Sequence, residues 1–384
     1  MKGHEGGVLG RWASTKIPVL FGFWLALMAH PCLAAVPSLS NGRSEVSGQI
    51  ADPLRAAVQH RRALATAARQ PPHASSASAS VRPAAAFRPP KLAMPIERPP
   101  SLNPALFGVP GGCNGTIYSI VVAPSGLVYM GGDFSVCAQT EAARVVAYEP
   151  RTKQFLPLGV DAANGISGDI FGGVYALALD GDNLLVGGGF SQAGGVAVHS
   201  LARWDGERWS PIGMAPDDGV LGLVYDIKVV GGSIYVAGLF SSAGGQPASH
   251  IARWNGLSWF TYAGGVGGGP DATTYVNAVL VEGNELYVGG VFSQAGNLPA
   301  NSIARWNGSS WSALGNGADN GVDGVVYELT RFNGELIVAG AFQRAGPLPA
   351  NSIASWNGSG WGLLGSLEAN GMSGAAIAVR VSGG

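Results

Sequence analysis

Ile251-Ala252-Arg253-Trp254-Asn255-Gly256-Leu257-Ser258-Trp259 decides the reading of this chain. An Asn-Gly dipeptide tolerates positive φ and closes tight hairpins, so the two flanking tryptophans belong to two short strands joined by a turn. The arrangement recurs as Trp204/Trp209 around Asp205-Gly206, Trp306/Trp311 around Asn307-Gly308 and Trp356/Trp361 around Asn357-Gly358. The first members of the pairs are 50, 52 and 50 residues apart, and no other tryptophan lies beyond residue 35. Self-similarity at a period near fifty marks a repeat architecture.

Upstream of each pair runs an apolar strand ending in small residues: Leu184-Leu-Val-Gly-Gly188, Ile234-Tyr-Val-Ala-Gly238, Leu286-Tyr-Val-Gly-Gly290 and Leu336-Ile-Val-Ala-Gly340. Before it stands another strand, such as Val174-Tyr-Ala-Leu-Ala-Leu179, joined by turns such as Gly181-Asp182-Asn183. Four short antiparallel strands per repeat describe a propeller blade. The expected fold is therefore all-β, a β-propeller with five complete repeats at about 116–170, 171–221, 222–273, 274–323 and 324–373, plus one extra strand in a partial sixth at 374–384. Either the ring closes on five with a surplus strand or a longer parent continues; an unpaired edge strand invites association, which favours the second.

The divergent first copy, Leu127-Val-Tyr-Met-Gly-Gly132 followed by Val145-Val-Ala-Tyr148-Glu-Pro and Phe155-Leu-Pro-Leu158, resembles a kelch repeat with its double glycine, Tyr-x-Pro turn and late aromatic. Later copies, with Gly-Gly-x-Phe-x-x-Ala-Gly and Ile-Ala-Arg-Trp-Asn-Gly-x-x-Trp, are similar to the extracellular kelch-like repeats of fungal cortical cell-polarity markers and secreted bacterial proteins. The resemblance, of the kelch and galactose-oxidase type, covers about residues 116–380. It implies a propeller but no single function, since such propellers include binding scaffolds and oxidases alike.

The paired indoles supply large apolar area and recur at one position in every copy, whereas binding residues differ among blades, so they read as inter-blade core. Phe134, Phe190, Phe240, Phe292 and Phe342 read the same way. Arg203, Arg253 and Arg305 share a column and read as structural pairs along blade junctions rather than as an anion site. In a four-stranded meander the first-to-second and third-to-fourth turns share one face. The longer second-to-third loops and blade-to-blade connections share the other, where recognition is expected. That face collects Asp169, Asp217, Asp218, Asp271, Asp319 and Asp323 with His199 and His250. Carboxylates converging on the axis suit a hard cation such as calcium, although Asp and Asn also favour turns.

The ends of the chain say where it works. Lys2, Arg11 and Lys16 precede the apolar run Ile17–Ala29 and the small-residue stretch Cys32-Leu33-Ala34, the pattern of a signal peptide over 1–35. Residues 36–110 hold 12 of the 24 prolines with nine basic and three acidic residues, and read as an extended Pro/Ala/Arg-rich linker with a short helix at 52–69 begun by Asp52-Pro53. The module at 111–384 carries 11 basic and 20 acidic residues. That balance excludes nucleic acid held by bulk positive charge. Export permits a disulfide between Cys113 and Cys137, which closes a short loop and contributes about 3 kcal/mol in the chain-entropy picture.

Two histidines remain in the module, and no nucleophile elbow, HExxH or phosphate loop appears. The two-His, two-Tyr copper site of galactose oxidase is not reproduced. The sequence therefore reads as a secreted, periplasmic or cell-surface module of a bacterial envelope with no transmembrane domain after cleavage. It would bind a surface protein or glycan through its long-loop face without catalysis. The alternative is a polysaccharide-active hydrolase or lyase using Asp residues at the axial mouth.

Overall fold

The computed structural model describes residues 112–160, 164–268, 274–367 and 369–379. The expected signal peptide, linker, helix at 52–69 and Asp271 lie outside these residues. The described chain is built on β-strands and contains no α-helix. Its framework is five antiparallel sheets, in each of which four strands lie side by side in chain order. Sheet one comprises Thr116–Val122, Val128–Asp133, Val145–Glu149 and Gln154–Pro157, and sheet two Ile166–Asp180, Asn183–Ala193, Leu201–Trp204 and Trp209–Pro211. Sheet three runs Val220–Val230, Ser233–Ala243, Ile251–Trp254 and Trp259–Thr261. Sheet four runs Tyr275–Glu282, Glu285–Val291, Ile303–Trp306 and Trp311–Ala313, and sheet five Val325–Phe332, Glu335–Ala341, Ile353–Trp356 and Trp361–Leu363.

The indoles of each pair lie directly opposite one another across the third and fourth strands, with ring centroids 5.2–5.6 Å apart. The turn between them is held by its own Asx side chain. Asn307 Oδ1 accepts the backbone N–H groups of Ser309 and Ser310 at 3.0 and 2.9 Å, and Asp205, Asn255 and Asn357 do the same in their copies. In three of the four pairs the second indole then reaches the connection that leaves the preceding sheet, whereas Trp259 Nε1 is buried without a partner. Trp209, Trp311 and Trp361 donate Nε1–H to the carbonyls of Leu158, Ala263 and Leu314 at 2.8–3.1 Å. Apolar clusters fill the junctions between consecutive sheets, Trp204 and Trp209 for example packing with Tyr129 and Val145 of sheet one and with Leu158 just beyond it.

Every first strand carries a β-bulge at one repeat position, occupied by Tyr118, Tyr175, Tyr225, Asn277 and Tyr327. A bulge turns its residue out of the ordinary alternation. Three of these phenols, joined by Tyr275 where sheet four has Asn277, form a chain of ring contacts at 5.4–6.0 Å. The residue after the bulge ties sheets together. Ser119 Oγ accepts the N–H of Leu177 in sheet two at 3.1 Å, and Asp226 Oδ2 accepts that of Val279 in sheet four at 2.9 Å.

The face of sheet one turned away from sheet two differs from its counterparts. Ile120 is 40% exposed, while Leu177, Ile227, Val279 and Leu329 at the same repeat position are at most 9% exposed. Beyond sheet five, Ala376 is buried and its N–H donates to Gly340 O at 2.8 Å, so this segment covers part of the last sheet.

Candidate functional site

The second-to-third connections are hairpins rather than open loops. Val136–Cys137 pairs Thr140–Glu141, Gln192-Ala193 pairs Val196–Ala197, and Ser242-Ala243 pairs Gln246–Pro247; Gln294–Ala295 and Arg344–Ala345 pair Leu298–Pro299 and Leu348–Pro349. Each hairpin is closed by a residue at positive φ: Arg144, Ser200, His250, Ser302 or Ser352. Its N–H bonds the carbonyl of the buried Phe134, Phe190, Phe240, Phe292 or Phe342. This framework replaces the variable loops expected over stretches such as Ser191–Ser200. The Cys113–Cys137 disulfide braces the first hairpin, and Asn114 Oδ1 accepts the N–H of Ser135 at 2.9 Å beside it.

On the outgoing connections of sheets two, four and five an Asx residue fastens the connection to the hairpin of the same sheet. Asp218 Oδ2 accepts the N–H of His199 at 3.1 Å, Asn320 Oδ1 that of Asn301 at 2.8 Å, and Asn370 Oδ1 that of Asn351 at 3.3 Å. Asp218 also contacts His199 Nδ1 at 3.1 Å. The predicted residues thus gather into separate groups. His199, Asp217 and Asp218 line a cleft of about 160 Å³ with Leu221 and Ser242. Asp319 and Asp323 line another of about 470 Å³ with Asn301, Asn320 and Arg344. Asp169 lies on the long first strand of sheet two.

His250 is set apart from both groups. It is mostly buried, its Nδ1 has no hydrogen-bond partner, and burial pushes its pKa down to about 4. Of the carboxylates, Asp218 is held by His199, and Asp323 Oδ1 accepts the N–H groups of Gln343 and Arg344, both at 2.8 Å. A calcium ion takes six to eight oxygens. Among the described residues no group of three or more His, Cys, Asp and Glu side chains lies together.

The column of arginines also differs from expectation. Arg203 pairs Asp180 at 2.8 Å and Arg305 pairs Glu285 through Nε at 3.0 Å, each within its own sheet rather than along a junction. The pair that does cross sheets is Arg331 Nε to Glu282 at 2.7 Å. Among the described residues Arg253 has neither kind of partner. Sequence reasoning also missed the tyrosines of the first strands. Their signal was a Tyr two residues before the Leu, Ile or Val of the first strand, in Tyr175-Ala-Leu177, Tyr225-Asp-Ile227 and Tyr327-Glu-Leu329.

A family model described as a domain of unknown function, DUF5122, beta-propeller, matches residues 232–255, from the first turn of sheet three to the Asn255 turn. No curated protein matches the chain. Among solved structures, the computationally designed Ika8 protein is similar over 71% of this chain and 80% of that one, at 12% identity and a TM-score of 0.39. The match to a propeller domain and the all-β architecture of repeated antiparallel sheets make this a β-propeller. No helix among the described residues is long and apolar enough to cross a membrane.

Proposed function

We propose that this chain is an exported, non-catalytic β-propeller of kelch-like type that holds a surface protein or glycan. Its blades are the five described sheets, with residues 374–379 beginning to cover the fifth. The binding side is the one where the hairpins meet the sheet-to-sheet connections. The carrying observation is the state of the acids there. Asp218 and Asp323 are spent on protein N–H groups, so the clefts around them present fixed polar walls instead of the free carboxylate pair that general acid–base chemistry uses. Rigid elements positioning polar groups around a concave surface suit recognition. Export is supported by the basic start, the Ile17–Ala29 apolar run and the Cys113–Cys137 disulfide, which persists in oxidising compartments.

The test is a binding array of envelope polysaccharides and surface proteins probed with the full chain, beside an Arg344→Ala, Asp319→Ala variant. Retained ligands should bind the variant about tenfold more weakly, as loss of charge-assisted contacts implies. Absence of any ligand together with turnover of a polysaccharide refutes the reading.

A further inference from the structure

On the opposite side of the molecule, where the tight turns lie, the junction of sheets three and four opens into a cleft of about 370 Å³. Tyr235, Arg253 and Phe260 stand side by side there in strand register. The guanidinium carbon of Arg253 lies 4.7 Å from the Phe260 ring centroid. Tyr262 and Trp306 complete the walls, their rings edge to face at 5.5 Å. Burial raises the Tyr262 phenol far above its usual range, so it stays a neutral hydroxyl. This volume falls within the range of small-molecule sites, ~300–1,000 Å³.

Two departures from the repeat meet in this cleft. The row Tyr235-Arg253-Phe260 replaces Leu185-Arg203-Ser210 of sheet two and Tyr287-Arg305-Ser312 of sheet four, and Tyr262 replaces Ile212 and Leu314. The acid that neutralises the arginine is also missing. Asp180 serves Arg203 and Glu285 serves Arg305, whereas the matching turn positions of sheet three are Val230 and Ser233. Among the described residues no carboxylate pairs with Arg253, and its Nε is buried without a hydrogen-bond partner. Glu285, also on the wall, is engaged by Arg305, which holds its carboxyl below the usual range. The structural role has been removed from one arginine of the column, and aromatic surface has been added around it.

We propose that this cleft binds a carboxylate-bearing sugar residue, a uronic acid within an acidic polysaccharide. The guanidinium fork matches a carboxylate with two parallel N–H donors. Phe260, Tyr262 and Trp306 give flat apolar surface for the C–H face of a pyranose ring. Thr261 and Asn284 on the rim supply a hydroxyl and an amide for its hydroxyl groups. That mixture favours a sugar over a peptide carboxylate. The site lies away from the hairpin side and does not depend on the function proposed above.

Isothermal titration of the full chain with trigalacturonate and trimannuronate, each beside its neutral methyl ester, tests it. At least one acid should bind, with its ester roughly tenfold weaker, as the loss of a charge-assisted pair implies. Ser233→Glu restores the acid that sheet four carries at Glu285, pairs Arg253 internally, and should abolish binding while leaving thermal unfolding unchanged. Phe260→Ser, the residue of sheets two and four, should weaken binding with the fold intact. Equal binding by wild type and Ser233→Glu, equal binding of acid and ester, or no binding of either acid at millimolar concentration would overturn the proposal. So would capture of a peptide ending in Asp or Glu, dependent on Arg253, in place of both uronates. Arg344→Ala leaves the uronate affinity unchanged, which separates this site from the hairpin side.

Discussion

Each Gly-Gly or Ala-Gly pair at the end of a second strand carries two unequal constraints. A Cβ on the first residue points at the next sheet: at Gly187 and Gly289 it lies 2.5 and 2.4 Å from Cγ1 of Val224 and Val326. A side chain can give way, and the chain itself uses Ala237 and Ala339 at this position. A Cβ on the second residue meets backbone. At Gly132, Gly188, Gly238, Gly290 and Gly340 it lies 1.9–2.1 Å from a carbonyl oxygen of the first strand, and no copy places another residue there. Gly290→Ala is therefore expected to cost roughly 3 kcal/mol or more, because the strand pair must separate, while Gly289→Ala costs about 1 kcal/mol. Denaturant midpoints of the two variants check this. Similar losses at both positions would mean that the close backbone approach does not set the glycine.

At the scale of the hairpin, four of the five closing residues are Arg144, Ser200, Ser302 and Ser352, and sheet three alone uses a histidine. Burial depresses the folded pKa of His250 to about 4 against an ordinary value of 6.5. Between those values the unfolded chain binds a proton that the folded chain refuses. Stability is thus full above pH 6.5 and falls as the pH drops towards 4, by roughly 3 kcal/mol from this residue. His250→Ser should flatten that part of the profile, measured as denaturant midpoints from pH 7 to 4, and an unchanged slope would assign the loss to other groups.

The tryptophan turn was legible because its partners lie five residues apart in sequence and each pair repeats at near-constant spacing. The hairpins were not, because strands of two residues leave no alternation to read, and their Gly194-Gly195 and Gly244-Gly245 turns look like loop. The tyrosine column was hidden by the bulge, which shifts one residue out of the period of two, and by Asn277 in the fourth copy. Of the candidate site, the sequence named the acids but not what their carboxylates bond to. Whether Asp218 faces solvent or a backbone N–H depends on a hairpin 19 residues away.

For the molecule as a whole, the apolar clusters join sheet to neighbouring sheet, one with two and so on to four with five, together with the tyrosine contacts along the first strands. Repeat proteins built this way sum the stability of each unit and of each nearest-neighbour interface. Sheet one is the weak member of the series. Among the described residues it packs against one other sheet, Ile120 and Val122 are exposed on its other face, and its remaining cluster around Met130, Phe134 and Val146 is backed by the Cys113–Cys137 bond. Closing that 24-residue separation removes about 3 kcal/mol of freedom from the unfolded segment. Reduction should therefore accelerate hydrogen exchange first at the amides of Thr116–Val122, Val128–Asp133 and Val145–Glu149. The amides of sheets four and five should keep their protection until denaturant is added. Equal acceleration in all five sheets would show that the units unfold as one and that the nearest-neighbour description fails for this chain.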